Sequence, residues 1–286
     1  MKHAPRFARS GAFTGEPRAM NRPQFVLGVF AASLAAAPAR ADAQSAPAAA
    51  AGAPPATIDD LVSANRILAH ENVVDGFGHV SARNPQDPNR YWLARSMAPA
   101  LVTAPDVLTY NLDSNALDAN GRSSYAERFI HGAIYKARPD VKAIVHAHTP
   151  SVIPFGISAV RLQPVFHMSA FLGAGVPVFE IRDTGGSATD MLVKTQPLGD
   201  ALARTLGGAN VALMRGHGMV AVAGSIPEAV FRAYYTGQDA QLQADALRLG
   251  GSPAYLSADE ARSATQTQAG LVQRAWDLWK RAATQP

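Results

Sequence analysis

The stretch VKAIVHAHTP, Val141 to Pro150, sets two histidines two residues apart at the end of an apolar run. An imidazole can ligate a metal, carry a proton or act as an ordinary hydrogen-bonding group. The run Val141, Ala143, Ile144, Val145 reads as a short buried strand, ended by Pro150, which cannot donate to a sheet ladder. Strand residues i and i+2 leave the same face, so His146 and His148 stand close enough to grip one object. Either they share a metal ion, or they are two unrelated polar residues at a strand end. A third histidine, His217, lies between Gly216 and Gly218, and glycine on both sides permits a close backbone approach. Three neutral imidazoles with an open fourth position describe a catalytic zinc-type site. Glu127 sits on the helix just before the His146 strand. A helix running back over that strand returns this carboxylate near the histidines, as a resting ligand and a proton carrier once substrate displaces it.

The elements that must position these groups are legible on either side. TIDDLVSANRILAHE predicts a helix capped by Thr57, with Leu61, Ala64, Ile67 and Leu68 at helical spacing. GFGHVSARN leads from glycines into a strand, and residues 90–122 read as short strands and turns, with Asn120-Gly121 a hairpin signal. SSYAERFIHGAIYKARPD predicts a helix on which Glu127, His131 and Tyr135 share a face, stopped by Pro139. His131, one turn from Glu127, is expected to hydrogen-bond that acid. Residues 164–181 read as strand, glycine turn, strand. DMLVKTQPLGDALARTLGG reads as helical with a break at Pro197, and NVALMRGHGMVAVAGS as two strands around the Gly-His-Gly turn. A long helix opened by Pro227 and closed by Gly250 precedes a helical tail with two of the three tryptophans. Met168, Met191 and Met214, and at least one of Tyr234 and Tyr235, are expected in the core. Mixed strands and helices imply α/β layering.

Composition narrows the function classes. The 286 residues suffice for one large domain, and the absence of cysteine excludes disulfides and thiolate metal ligands. Six of the 26 basic residues but only one of the 22 acids precede Asp42. The formal charge of +4 therefore belongs to the N-terminus and argues against a nucleic-acid partner. Positive residues before FVLGVFAASLAAAP, followed by small residues at Ala39, Ala41 and Ala43, read as an export signal over residues 1–43. NRPQFVLG is similar to a twin-arginine signal with Pro23 in place of the second arginine, and Met20 is an alternative start. An Ala/Pro-rich linker over 44–56 and a single domain over 57–286 complete the expected organisation. The expected location is periplasmic or secreted, or cytoplasmic if the leader does not function.

The order Glu127, His131, ARPDVKAIVHAH, RGHG, SIPEA resembles the class II aldolase/adducin family from about Leu61 to Leu249. The resemblance implies a three-layer α-β-α domain around a mixed, largely antiparallel sheet. It also implies that His146, His148 and His217 bind one divalent metal ion, with Zn²⁺ ahead of Mn²⁺, Fe²⁺, Co²⁺ and Mg²⁺, and that Glu127 is the acid/base. His79 replaces an asparagine of the sugar-phosphate aldolases and joins Glu127 as a catalytic candidate. ARSMAPALVTAPD lacks the loop that cradles phosphate in those aldolases. AERFIHGAIYKARPD and PVFHMSAFLGAGVPVFEIRD look most like the decarboxylase-type members, which act on muconate semialdehyde or dihydroxyphthalate-like acids. A metal-dependent lyase working through an enolate follows, with Arg83 and Arg95 as candidates to pair a substrate carboxylate and Ser124 and His167 as further substrate contacts. The alternatives are an aldolase on a non-phosphorylated hydroxy-keto acid and an adducin-like scaffold; the retained histidines speak against the scaffold. Family members are commonly homotetramers, so the expected partners are a small carboxylic acid and further copies of the chain, with no nucleic acid or membrane.

Overall fold

The computed structural model describes residues 53–284; the segments expected to be an export signal and most of the expected linker lie outside the described residues. Helix α1 spans Pro55–His70 and buries Leu61, Ala64, Ile67 and Leu68, as its spacing requires. It opens on a proline in its first turn, and Pro54 rather than Thr57 is the cap. Proline fits there because the missing N–H has no helical partner to lose.

Strands β1 (His79–Arg83), β2 (Arg90–Ala94) and β3 (Val107–Asn111) form an antiparallel meander. Asn120 and Gly121 do adopt positive φ in a tight turn, yet they join no two strands; Arg122 N–H closes the turn on the Ala119 carbonyl. A single 3-10 turn, Ala126–Arg128, leads into helix α2, Phe129–Ala137. Strand β4 (Ala143–Ala147) follows, then the short helix α3 (Ile153–Ile157). Where the sequence suggested a strand near 166–172, the chain forms a 3-10 helix, His167–Ala174; only Val178–Phe179, β5, is a strand. Helix α4 (Arg182–Gly185) and helix α5 (Gln196–Leu206) come next, with Pro197 starting α5 and not breaking it. Strands β6 (Val211–Met214) and β7 (Gly218–Ala223) flank the Gly-His-Gly turn. Helices α6 (Ile226–Arg248), α7 (Ala258–Ala269) and α8 (Val272–Ala282) close the chain.

The seven strands make one open sheet in the order β3-β2-β1-β4-β7-β6-β5, antiparallel except for the β5–β6 pair. Alternate residues divide between two cores. Val80, Ala82, Val145, Ala221 and Ala223 pack beneath α1, α6 and α8. Ile144, Val220, Val222, Tyr91 and Leu93 pack beneath α2 and α5. A layer of helices on each face of a mixed sheet is the expected three-layer arrangement. Trp276 and Trp279 of α8 are buried in the first core, which Tyr234 and Tyr235 border half-buried. No described helix is long and apolar enough to cross a membrane.

Candidate metal centre and its cavity

The two central strands build the site. β4 and β7 pair with His146 opposite Val220 and Ala147 opposite Met219. This pairing carries β4's end to the turn that holds His217. That turn needs its glycines: Gly216 sits at φ +62, and a Cβ on Gly218 would lie 2.1 Å from the Ala147 carbonyl oxygen. The sequence therefore closes strand β7 onto the chain segment that bears His148.

Three imidazole Nε2 atoms converge there. Those of His146 and His148 are 3.1 Å apart, and those of His217 and His148 are 2.9 Å apart. Glu127 Oε2 is 3.4 Å from Nε2 of both His146 and His217. One ligand atom from each of the four residues lies within 4.8 Å of all the others. Backbone carbonyls fix two of the tautomers, because Nδ1 of His146 donates to Met219 O (3.1 Å) and Nδ1 of His217 to Met191 O (2.9 Å). Both Nε2 lone pairs then face the shared centre. Lone pairs crowded at this distance repel one another, and a cation among them removes the conflict. Ligands about 2 Å from a tetrahedral Zn²⁺ stand roughly 3.3 Å from one another, close to the spacings here. The residues present fit a divalent metal; their set alone does not select which one.

Electrostatics agree with that geometry. Burial pushes the Glu127 carboxyl up, but His146 and His217 more than reverse this and hold it well below the usual carboxylate range. The carboxylate is therefore ionised at neutral pH. Its other oxygen, Oε1, accepts Val193 N–H at 2.9 Å. Burial first, then His146 and His217, lower His148 to about 4, which keeps its ring neutral and able to ligate. Glu127 raises His217 against the effect of its burial.

A cavity of about 410 Å³ opens beside the cluster, bounded by His79, Glu127 and His148 with Phe77, Met97, Tyr125 and Leu192. Phe77 is held by its own N–H bond to Asp75 Oδ1 (2.9 Å), is 68% exposed, and lies nearly parallel to His148 at 6.4 Å between ring centres. Aromatic and apolar walls with a few convergent polar groups suit a small aromatic ligand.

His79 is buried against the cluster, 5.0 Å from the His146 ring and 4.6 Å from the Tyr125 ring. Its Nδ1 is 2.7 Å from His131 Nε2; His131 Nδ1 is 2.6 Å from Ser81 Oγ, which is 2.8 Å from the Tyr135 hydroxyl. This ladder arises because β1 rises roughly 6.6 Å between alternate residues while α2 rises about 6 Å per four, so the two sets stay in step. His131 thus bonds to His79 and Ser81, and not to Glu127 as its spacing suggested.

Four candidates sit elsewhere. Arg83 is buried, and its guanidinium is spent on the carbonyls of Val141, Pro88, Tyr135 and Arg138, leaving no fork for a substrate carboxylate. Arg95 pairs with Asp106 at 2.7 Å outside the cavity wall. Ser124 accepts the Tyr110 hydroxyl at 2.9 Å. His167 is exposed and lines a different cavity of about 670 Å³ with Phe231, Tyr235 and Leu271. What the sequence did not reveal is the segment 191–193. Met191 holds φ +71, and its carbonyl orients His217 while Val193 N–H orients Glu127. A non-glycine residue in the left-handed region beside a metal-type cluster is strain placed where it positions a ligand. Met191 is thus not mere core filler, whereas Met214 is buried as expected.

Residues 59–244 match the family described as Class II Aldolase and Adducin N-terminal domain. The chain is 35% identical over 243 residues to decarboxylase tropJ of Talaromyces stipitatus, covering 77% of this chain and 91% of that protein. It is 29% identical over 207 residues to a 3,4-dihydroxyphthalate decarboxylase of Arthrobacter keyseri, covering 67% and 79%. The solved structure of an aldolase II superfamily protein from Pseudomonas syringae superposes with a TM-score of 0.67 at 22% identity, covering 80% of this chain and 92% of that one.

Proposed function

The chain belongs to the class II aldolase and adducin family, and from that premise we propose that it is a divalent-metal-dependent decarboxylase of a small aromatic or muconate-semialdehyde-type carboxylic acid. The observation that carries the reading is the convergence of three Nε2 atoms and one carboxylate on a point at the edge of an aromatic-walled cavity. The decarboxylase relatives support the reaction class.

His146, His148 and His217 would hold the cation, with Met219 O and Met191 O keeping two of the rings in the ligating tautomer. When bound, a divalent cation supplies Lewis acidity to the substrate oxygen beside the departing carboxylate. Phe77, Tyr125, Met97 and Leu192 give the substrate ring apolar and aromatic surface to lie against. Glu127, ionised at rest, takes the proton of the substrate hydroxyl. Glu127 delivers that proton to the carbon that bears the carboxylate, and the oxygen becomes a carbonyl. The bond to the carboxylate then breaks, CO₂ leaves, and the electron pair passes to the carbonyl oxygen as an enolate, which regains a proton from solvent.

The test is a panel of hydroxylated aromatic acids and muconate-type acids offered to protein loaded with Zn²⁺, Mn²⁺, Fe²⁺, Co²⁺ or Mg²⁺, with CO₂ and aldehyde release measured separately. CO₂ release that disappears with a chelator and in His146→Ala supports the proposal. Aldehyde release in its place identifies an aldolase, and turnover that survives metal removal refutes the site as described.

A further inference from the structure

We propose that Tyr135, through Ser81 and His131, locks His79 as an Nε2–H hydrogen-bond donor to the cavity, making it the receptor for the carboxylate oxygen of the substrate. The lock follows from counting protons along the ladder. The Tyr135 hydroxyl is buried, and its one hydrogen-bond partner among the described residues is Ser81 Oγ. A neutral phenol must place its proton somewhere, so Tyr135 donates to Ser81. Ser81 has one proton of its own and one partner left, so it donates to Nδ1 of His131. His131 therefore carries its proton on Nε2 and donates it to Nδ1 of His79. His79 is left with its proton on Nε2.

Both imidazoles are neutral in this scheme. Each is buried, the two share one proton across the 2.7 Å bond between their rings, and no described carboxylate pairs with either. The opposite order of donors fails at its end, because the Tyr135 O–H would then point at nothing in a place that solvent does not reach. Nε2 of His79 bonds to no described residue, yet it is not among the sealed polar atoms that lack a partner, and His79 lines the cavity. The free N–H is thus left to the cavity that His148 and Glu127 also line, where an anion would lie. A donor fixed this way is not a base. It divides the work of the site: Glu127 moves the proton and His79 holds the charge. Only the identity of the anion rests on the decarboxylase reading; the tautomer rests on the ladder alone.

The experiment uses the full chain loaded with zinc and labelled with ¹⁵N-histidine. Long-range proton–nitrogen correlation spectra, assigned with His79→Gln, report which ring nitrogen carries the proton. His79 and His131 are both expected as Nε2–H in the wild type. Tyr135→Phe should add an Nδ1–H population to both, with Ser81→Ala as the second variant if the first does not fold. Binding is then measured with 3,4-dihydroxybenzoate and with catechol, which lacks the carboxylate. His79→Leu should weaken dihydroxybenzoate about tenfold and leave catechol unchanged. His79→Gln, whose amide N–H takes the place of Nε2–H, should stay within about threefold of the wild type. A wild-type His79 protonated on Nδ1, or a Tyr135→Phe spectrum identical to the wild type, overturns the lock. Unchanged dihydroxybenzoate affinity in His79→Leu overturns the receptor. If no acid is decarboxylated while the tautomer and the binding pattern hold, the proposed reaction falls and the donor stands.

Discussion

Replacing Glu127 by glutamine isolates proton transfer from metal holding. The substitution keeps an acceptor for Val193 N–H, a bond of 2.9 Å that anchors the side chain. It changes the group that faces His146 and His217 at 3.4 Å from an anionic oxygen to an amide. The fold should therefore survive, with stability within about 1 kcal/mol, because one neutral-acceptor bond is retained in a buried position. Zinc should bind less tightly, since a negative neighbour is lost; comparable changes around metal sites cost about 10–100-fold. Turnover at saturating zinc should fall by about 10²–10⁴-fold, the usual worth of a positioned acid or base, equivalent to roughly 3–5 kcal/mol of barrier. Zinc content by mass spectrometry and CO₂ release at saturating metal separate the two effects. Turnover within threefold of wild type in fully loaded protein refutes the proton-carrier role. Protein that cannot be loaded at all shows Glu127 to be a required ligand instead.

Arg83→Met should lose roughly 3–5 kcal/mol in urea unfolding, because the buried carbonyls of Val141 and Tyr135, with those of Pro88 and Arg138, lose a charged donor, while KM changes little; a large KM rise with intact stability would return Arg83 to substrate binding. Gly218→Ala should weaken zinc binding at least tenfold and cost roughly 1–3 kcal/mol, since the new methyl meets Ala147 O at 2.1 Å and the His148 Cα at 3.0 Å. Gly208→Ala, which meets nothing within 4 Å, is the neutral control. Asp239 is fully buried, and desolvation raises its carboxyl from 3.8 to about 6. A raised folded-state value gives stability that is complete below the unfolded value and lost as pH rises through the folded one. Asp239→Asn keeps the acceptor for Ser169 and Val165 without that loss. Its advantage over wild type should grow from none near pH 3 to at most about 3 kcal/mol at pH 8, and a pH-independent difference would contradict the buried-acid account.

The ligand set was legible because two strong local rules act on it. Alternation along β4, carried one residue past its end at Ala147, places His146 and His148 together, and glycine on both sides of His217 marks a turn that another chain segment crosses closely. Arg83 misled for the opposite reason. It is four residues from His79 in sequence, but four strand steps are roughly 13 Å, which puts it at the far end of β1. Residues 166–172 misled because Phe166, Met168, Ala170 and Leu172 alternate as a strand would. Packing against α7 chose 3-10 turns: Gly173 lies so close that a Cβ there would be 2.5 Å from Ala261 Cβ. Met191 acts through a carbonyl and a positive φ, and neither has a side-chain signature to read.

The two halves of the site differ in how freely they can change. The histidines stand at the ends of paired central strands, where a shift in register would move every neighbouring side chain to the wrong face. The cavity wall comes instead from the loop at Phe77, the turn at Met97, the 3-10 entry at Tyr125 and the crossing segment at Leu192. Loops accept substitution with little cost to the core. Cleavage beside a carboxylate and cleavage beside a hydroxyl leave the same electron pair on the same carbon. The fixed half can therefore serve either reaction, and the wall selects. A specificity switch should accordingly come from changes at Phe77, Met97 or Leu192 with zinc content unchanged; if only changes among the histidines alter which acid is accepted, the division drawn here is wrong.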